Sequence, residues 1–255
     1  MEIVGINQIS PDQVIIWSYG FITLNVTILY TWLVMAILVF VSWLATRNIS
    51  SEMNVSRWQH FLEVVISIIR GEISEMTKKD ADKYVPLIGT LFLFICTCNV
   101  LVIVPGFVAP TSSITTTASL ALCVFIAVPY YGISRNGLFH YLKEYFQPNF
   151  IFFPFHVMGE ISRTLALTVR LFGNIMSHEK VIGILLAVTP LLFPVVMQAL
   201  GLLIGVIQAY IFAILSMVYI ASAVSAEEEH HVHVEVKQKI LQLNNFFKEE
   251  FLWII

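Results

Sequence analysis

Glu160, Arg163, Arg170, His178 and Glu179 all fall inside one long, otherwise apolar stretch of this 255-residue chain. A charge in hydrocarbon is expensive, so each of these residues is a candidate functional group. In a helix that rises about 1.5 Å per residue, Arg170 lies about 15 Å beyond Glu160, and His178 and Glu179 lie a further 12 to 14 Å on, roughly. In depth the order is acid, base, a central arginine, then an imidazole beside a second acid. Arginine suits the centre because its guanidinium stays charged and cannot relay a proton by losing one. It would block an ion passing straight between the two polar regions, and would favour the ionised form of a carboxylate carried past it.

Other polar residues fall near that arginine. Asn174 is one turn beyond Arg170 on the same face, and Arg163 is two turns before it. Gln208, in the next apolar stretch, is placed to hydrogen-bond with Arg170 or with a visiting carboxylate. Plainer readings stand beside these. Arg163 and Lys180 lie near the ends of the apolar stretch and are expected to snorkel to the interface. Glu160 could simply pair with Arg163, three residues on, and Gln208 could be an interhelical hydrogen bonder. Arg170 is harder to explain locally, because no acid lies within one turn of it on its own helix. It is expected to be buried.

The elements that must position these groups are membrane spans. Hydrophobic residues make up 58% of the chain and charged residues 12%, whereas a soluble domain carries charge at about a quarter of its positions. A net charge of −3 leaves no basic face for nucleic acid. A hydrocarbon core about 30 Å thick needs about 20 apolar residues in a helix. Five spans satisfy this, over residues 21–44, 85–104, 115–131, 152–188 and 191–224. The fourth and fifth meet at Thr189-Pro190, with Pro194 just after, and form a long hairpin. The expected fold is therefore an all-α integral membrane protein, one membrane domain over residues 1–226 with a tail over 227–255. No signal-peptide pattern opens the chain, so the first span is expected to act as an uncleaved anchor.

Between the first two spans, residues 55–76 read as an amphipathic helix on the membrane surface. Trp58, Phe61, Leu62, Val65, Ile68, Ile69 and Ile73 recur at helical spacing, with Arg57, Glu63, Arg70, Glu72 and Glu75 between them. The tail begins Glu227-Glu-Glu-His-His-Val-His-Val-Glu235 and reads as solvated, and its last twenty residues are expected to form an interfacial helix. Cys96, Cys98 and Cys123 sit in apolar runs and read as packing residues, so no metal site or cofactor is expected. Lys and Arg cluster between spans one and two (Arg47, Arg57, Arg70, Lys78, Lys79, Lys83), between spans three and four (Arg135, Lys143) and after span five (Lys237, Lys239, Lys248). The positive-inside rule then puts the N-terminus outside and the C-terminus in the cytoplasm. That clustering, with no transit peptide, points to a prokaryotic plasma (inner) membrane.

Glu160-Ile-Ser-Arg-Thr-Leu-Ala-Leu-Thr-Val-Arg170-Leu-Phe-Gly-Asn174 resembles the signature of the F-type ATP synthase a subunit, whose essential arginine precedes Leu-Phe-Gly-Asn. Gln208-Ala-Tyr-Ile-Phe-Ala-Ile-Leu-Ser-Met-Val-Tyr219 resembles that family's last helix. Leu91-Phe-Leu-Phe, Cys98-Asn99-Val-Leu and Val104-Pro105-Gly106 resemble its second span and the turn that follows. The likeness covers residues 20–226 and leaves out the tail.

The resemblance implies a stationary subunit of the membrane sector, packed against a rotating ring of c subunits and accompanied by b-type peripheral stalk subunits and lipid. Protons or sodium ions would enter one half-channel, ride the ring and leave by the other. Arg170 would separate the two and act on the ring carboxylate. Glu179, Asn174 and Gln208 would belong to the outer half-channel, and Glu160 and His156 to the inner one. Such a subunit catalyses no chemistry itself. Many proton-pumping members carry a protonatable residue seven positions before the glutamine, where this chain has Gly201, while His178 stands beside Glu179 on the neighbouring span. The reading is that the imidazole has moved across the helix contact and keeps a relay suited to neutral pH. Thr164 stands where a proline is often found, which is expected to change only helix geometry. Two other classes fit the composition less well. A self-contained channel or secondary transporter would be expected to show repeats or broken helices. A haem- or quinone-binding membrane enzyme subunit would need histidines at matching depth on facing spans, and here only His178 lies well within one.

Overall fold

The computed structural model describes residues 15–19, 22–46, 57–77, 81–104, 106–138, 153–189 and 193–252, with the side chains of the last helix described as far as Val224. A short antiparallel hairpin, β1 (Ile15–Tyr19) and β2 (Ile22–Asn25), leads into α1 (Val26–Thr46). Then follow α2 (Arg57–Thr77), α3 (Val85–Leu101), α4 (Ile114–Asn136), α5 (Phe153–Val188) and α6 (Phe193–Leu252), with 3-10 turns at Ala81–Lys83 and Pro110–Ser112. Among the described residues four helical stretches are long and apolar enough to cross a membrane: Val26–Leu44, Ile114–Arg135, Phe153–Val188 and Phe193–Val224. The remaining expected span, α3, is equally apolar and has 17 residues.

Two boundaries depart from the sequence reading. Residues 22–25 were expected to open the first span as helix, yet they are extended and paired with β1. Ile15, Ile16, Ile22 and Thr23 are β-branched, which suits a pleated backbone better than a helix start. At the other end α6 does not stop where the apolar run stops: its backbone stays helical into the tail, to Leu252. Glu, Lys and Gln, frequent there, are good helix formers. The tail's histidines and glutamates lie outside the described side chains.

The core lies among α3 to α6. Ile88, Leu91 and Ile95 of α3, Ala121 and Val124 of α4, and Leu167, Leu171 and Ile175 of α5 recur every three or four residues and meet Phe212, Met217 and Ile220 of α6. Lipid is as apolar as leucine, so helices in a bilayer associate through close packing and hydrogen bonds rather than through exclusion from water. Both are visible between α3 and α6. A Cβ at Gly205 would sit 2.9 Å from Asn99 Cβ, so only glycine allows this approach. Asn99 Nδ2 donates to the Gly205 carbonyl at 2.7 Å and Thr111 Oγ1 donates to Asn99 Oδ1 at 3.3 Å. Gln198 Nε2 donates at 2.9 Å to the carbonyl of Val102, one of those that the end of α3 leaves without a helical partner. α3 and α6 are therefore antiparallel, with residue 99 beside 205.

The outer elements are attached more lightly. α1 keeps Val34 and Thr27 buried, exposes most of its length, and is tied by Tyr30 Oη donating to the Gly106 carbonyl at 2.9 Å. α2 turns Ile69, Ile73 and Met76 toward the core. Its Arg70 pairs with Asp82 at 2.8 Å, an exposed bridge of little energetic weight. Cys98 is buried, Cys96 half-buried and Cys123 exposed, all as free thiols.

Replacing Asn99 with alanine should lower stability by about 1 kcal/mol, the usual scale for a hydrogen bond between membrane helices. The thermal unfolding midpoint in detergent checks this against Thr90→Ala, which removes only a local bond to the Leu87 carbonyl. Equal midpoints for the two variants would remove Asn99 from the packing argument.

Candidate functional site: a polar hairpin with an outward-facing arginine

Helices α5 and α6 run antiparallel, and three side-chain contacts fix their register. The Arg163 guanidinium lies over the Tyr219 ring, 5.5 Å from its centroid. Asn174 Nδ2 donates to Gln208 Oε1 at 2.7 Å. His178 packs onto Gly201 so closely that any side chain at position 201 would overlap the imidazole. As α5 advances from 163 through 174 to 178, its partner steps back from 219 through 208 to 201. By the same count Arg170 lies level with Phe212.

Arg170 itself is exposed, which corrects the expectation that it is buried. α5 commits one stripe, Leu167, Thr168, Leu171 and Ile175, to the core. Arg170 falls off that stripe and turns outward; Leu165 and Val169 are exposed as well, at 57% and 61%. Ile204, Ile207 and Leu203 of α6 are exposed too. The chain thus presents an apolar surface at mid-depth with a guanidinium in it.

Gln208 behaves differently. It is 3% exposed, and its Oε1 is used by Asn174 rather than by Arg170. Its Nε2 has no hydrogen-bond partner among the described residues. Beside it is a cavity of about 30 Å³, lined by Asn99, Asn174, His178, Glu179, Gln198, Gly201 and Gln208 among others. That is room for about two water molecules, and the polar lining suits them. Glu179 is half-buried at this cavity and interacts with the Ser112 side chain and the Ala109 backbone.

The structure therefore brings together Asn174, His178, Glu179 and Gln208 and sets Arg170 one turn away on the outer surface. Glu160, half-buried, and His156, exposed, lie ten and fourteen residues before Arg170, toward the other end of α5 and apart from the cavity. Asn99, Gln198 and Ser112 were not singled out as site residues. One signal was available: Thr111-Ser-Ser-Ile-Thr-Thr-Thr117 is a hydroxyl-rich run at the start of an apolar span, and its Thr111, Ser112, Ser113 and Thr117 are fully buried. Among the described residues no group of three or more His, Cys, Asp or Glu side chains could hold a metal ion.

A helical membrane protein whose last hairpin carries a polar cavity on one side and an unburied arginine on the other belongs, by these features, to the membrane ion-transport proteins. Comparison with known proteins gives the family. Residues 28–221 match the family model for the ATP synthase A chain. "ATP synthase subunit a 2" of Acaryochloris marina is 52% identical over 224 residues, covering 88% of this chain and 96% of that protein. "ATP synthase subunit a" of Albidiferax ferrireducens is 52% identical over 216 residues, covering 85% and 94%. "ATP synthase subunit a 1" of Crocosphaera subtropica is 51% identical over 228 residues, covering 88% and 99%. The chain belongs to the ATP synthase A chain family, and with it to ATP synthesis and membrane ion transport.

The His178–Gly201 contact makes a stability prediction of its own. Gly201→Leu should destabilise the detergent-solubilised chain, and His178→Ala in the same molecule should restore a coupling of about 1 kcal/mol or more, as expected for residues in direct contact. Strictly additive effects in the double-mutant cycle would show that the two positions do not share one space.

Proposed function

We propose that this chain is the ion-translocating stator of a rotary F-type ATP synthase, with Arg170 separating two half-channels and acting on a carboxylate of the c-subunit ring. The single observation that carries this is the outward guanidinium. An arginine in hydrocarbon needs a counter-charge, and this one faces away from its own chain. A carboxylate passing on a neighbouring subunit satisfies it and is held ionised while it passes. A self-contained transporter would turn such an arginine inward, toward a site among its own helices.

On this reading the cavity by Gln208 is the inner end of the outer half-channel, with Glu179 exchanging the ion, Asn174 and Gln208 passing it on, and His178 relaying beside Glu179. Glu160 and His156 line the inner half-channel. The chain carries no catalytic step. It works with the c ring, b-type stalk subunits and the rest of the complex, in a prokaryotic inner membrane, N-terminus outside. Residues 1–226 form the membrane domain and 227–255 the cytoplasmic tail. His178 lying on Gly201 supports the idea that the imidazole has crossed the helix contact: whichever helix bears it, the ring would occupy the same space.

The test is ATP synthesis in vesicles holding this chain with its native partners, driven by an imposed proton or sodium gradient. Synthesis under one gradient, abolished by Arg170→Ala, is the expected result and names the ion. Synthesis that survives Arg170→Ala would overturn the stator reading. In the same assay His178→Gly should impair proton-driven synthesis and the added Gly201→His should recover it; a double variant no better than His178→Gly would count against the exchange.

A further inference from the structure

Gln198 lies near the start of α6 and is half-buried. Its Nε2 donates to the Val102 carbonyl at 2.9 Å, across the gap between α6 and the end of α3. A primary amide has a second group to offer, because its carbonyl oxygen accepts. The described residues send no hydrogen bond to Gln198 Oε1. The side chain lines the polar cavity beside Gln208.

The two glutamines stand at opposite ends of that cavity. Ten residues of α6 separate them, about 15 Å along the helix. At the deep end Gln208 leaves Nε2, a donor, without a partner among the described residues. At the other end Gln198 leaves Oε1, an acceptor. Asn99, between them, is engaged within the protein: it donates to the Gly205 carbonyl and accepts from the Thr111 hydroxyl.

Helix register places Gln198 relative to the nearest carboxyl group. His178 packs on Gly201, so Glu179 is level with the neighbourhood of that glycine, and Gln198 is about one turn nearer the start of α6. Glu179 and His178 are the titratable side chains that line the cavity, and both come from α5. α3 and α6 line it with amides, glycines and apolar groups.

We infer that Gln198 is the mouth residue of this cavity: its amide oxygen receives the hydrated cation on its way to Glu179, while its amide nitrogen holds the end of α3 beside that mouth. This rests on the stator reading and adds to it a polar station ahead of Glu179. An oxygen without a partner suits the task, because it takes a hydrogen bond from a hydronium ion or from the water around a sodium ion. A neutral amide also lets the ion go. Entry needs binding that is favourable yet weak enough to leave, and a charged acceptor holds a cation more strongly than an amide does.

The experiment uses the assembled complex in vesicles and measures ATP synthesis against the concentration of the driving ion, proton or sodium, on the outer side. Gln198→Leu removes both halves of the amide. Gln198→Lys keeps a donor for the Val102 carbonyl and has no acceptor, whereas Gln198→Glu keeps acceptors and, once ionised, has no donor. Gln198→Leu should raise the half-saturating ion concentration by about tenfold, the lower scale for a hydrogen bond to a charged group, with the maximal rate kept. Gln198→Lys should raise it further, and Gln198→Glu should match or fall below wild type, since an anion at the mouth gathers cations. The opposite order, with Gln198→Lys close to wild type and Gln198→Glu as impaired as Gln198→Leu, would make the residue a structural latch and overturn the proposal. Equal half-saturation in wild type and all these variants would overturn it too, and abolition by Arg170→Ala would then leave the stator reading standing. Synthesis that survives Arg170→Ala would remove the reading on which the mouth rests.

Discussion

A guanidinium that cannot be neutralised has to be matched by a charge wherever it is placed in hydrocarbon, and the architecture of α5 follows from where that match is to come from. Leu167, Thr168, Leu171 and Ile175 bind α5 to its own chain. Arg170 falls between them, so the helix is anchored on one side and presents the cation on the other. Moving the arginine one position to Leu171 would bury the charge in the core with no acid one turn away. The cost of burying the charge and its demand for a counter-charge are the same constraint seen from two sides.

An outward cation is useful only at a fixed depth and azimuth, and the hairpin supplies both. In lipid no water-driven force holds α5 against α6, so the register depends on contacts with shape or direction. Asn174 and Gln208 provide a hydrogen bond, His178 fits over a glycine, and Arg163 rests on Tyr219. α6 is in turn fixed to α3 by Asn99 on the Gly205 carbonyl and by Gln198 on that of Val102. Polar groups serve here as spacers and locks, and some of them also line the cavity. That double use explains why a polar cavity appears beside the hairpin contact rather than elsewhere in the bundle.

Periodicity and composition made the helices legible, because apolar length is a direct physical requirement of a bilayer. Contacts between helices were less so. Gln208 read as a partner for Arg170 because both are polar and at similar depth, but the azimuth decides: Gln208 points to α5's Asn174, and Arg170 points away. Gly201 looked like a missing function in sequence and is, in three dimensions, the space that His178 fills. Glu72 was read as the polar side of a surface helix, since spacing alone cannot show that α2 packs against α6, where Glu72 and Tyr210 border one cavity. The early strand pair and the unbroken run of α6 into the tail were missed for a related reason: hydropathy marks where a membrane can be crossed, and backbone preference decides where a helix starts and stops.

Glu179, now placed by its surroundings, differs from Arg170 in a way that fits one principle. It lines the cavity beside Gln208 together with Asn99 of α3 and Gln198 of α6. It can therefore change its protonation state within a surrounding that is already built. On the proposed stator reading Arg170 does not change state, and its complement would come from another subunit. The group that titrates would then be held by the chain, and the group that cannot titrate would face what moves past it. A stationary subunit that hands an ion on without letting it leak would need that division, because a titratable residue in place of the arginine could carry the proton straight across.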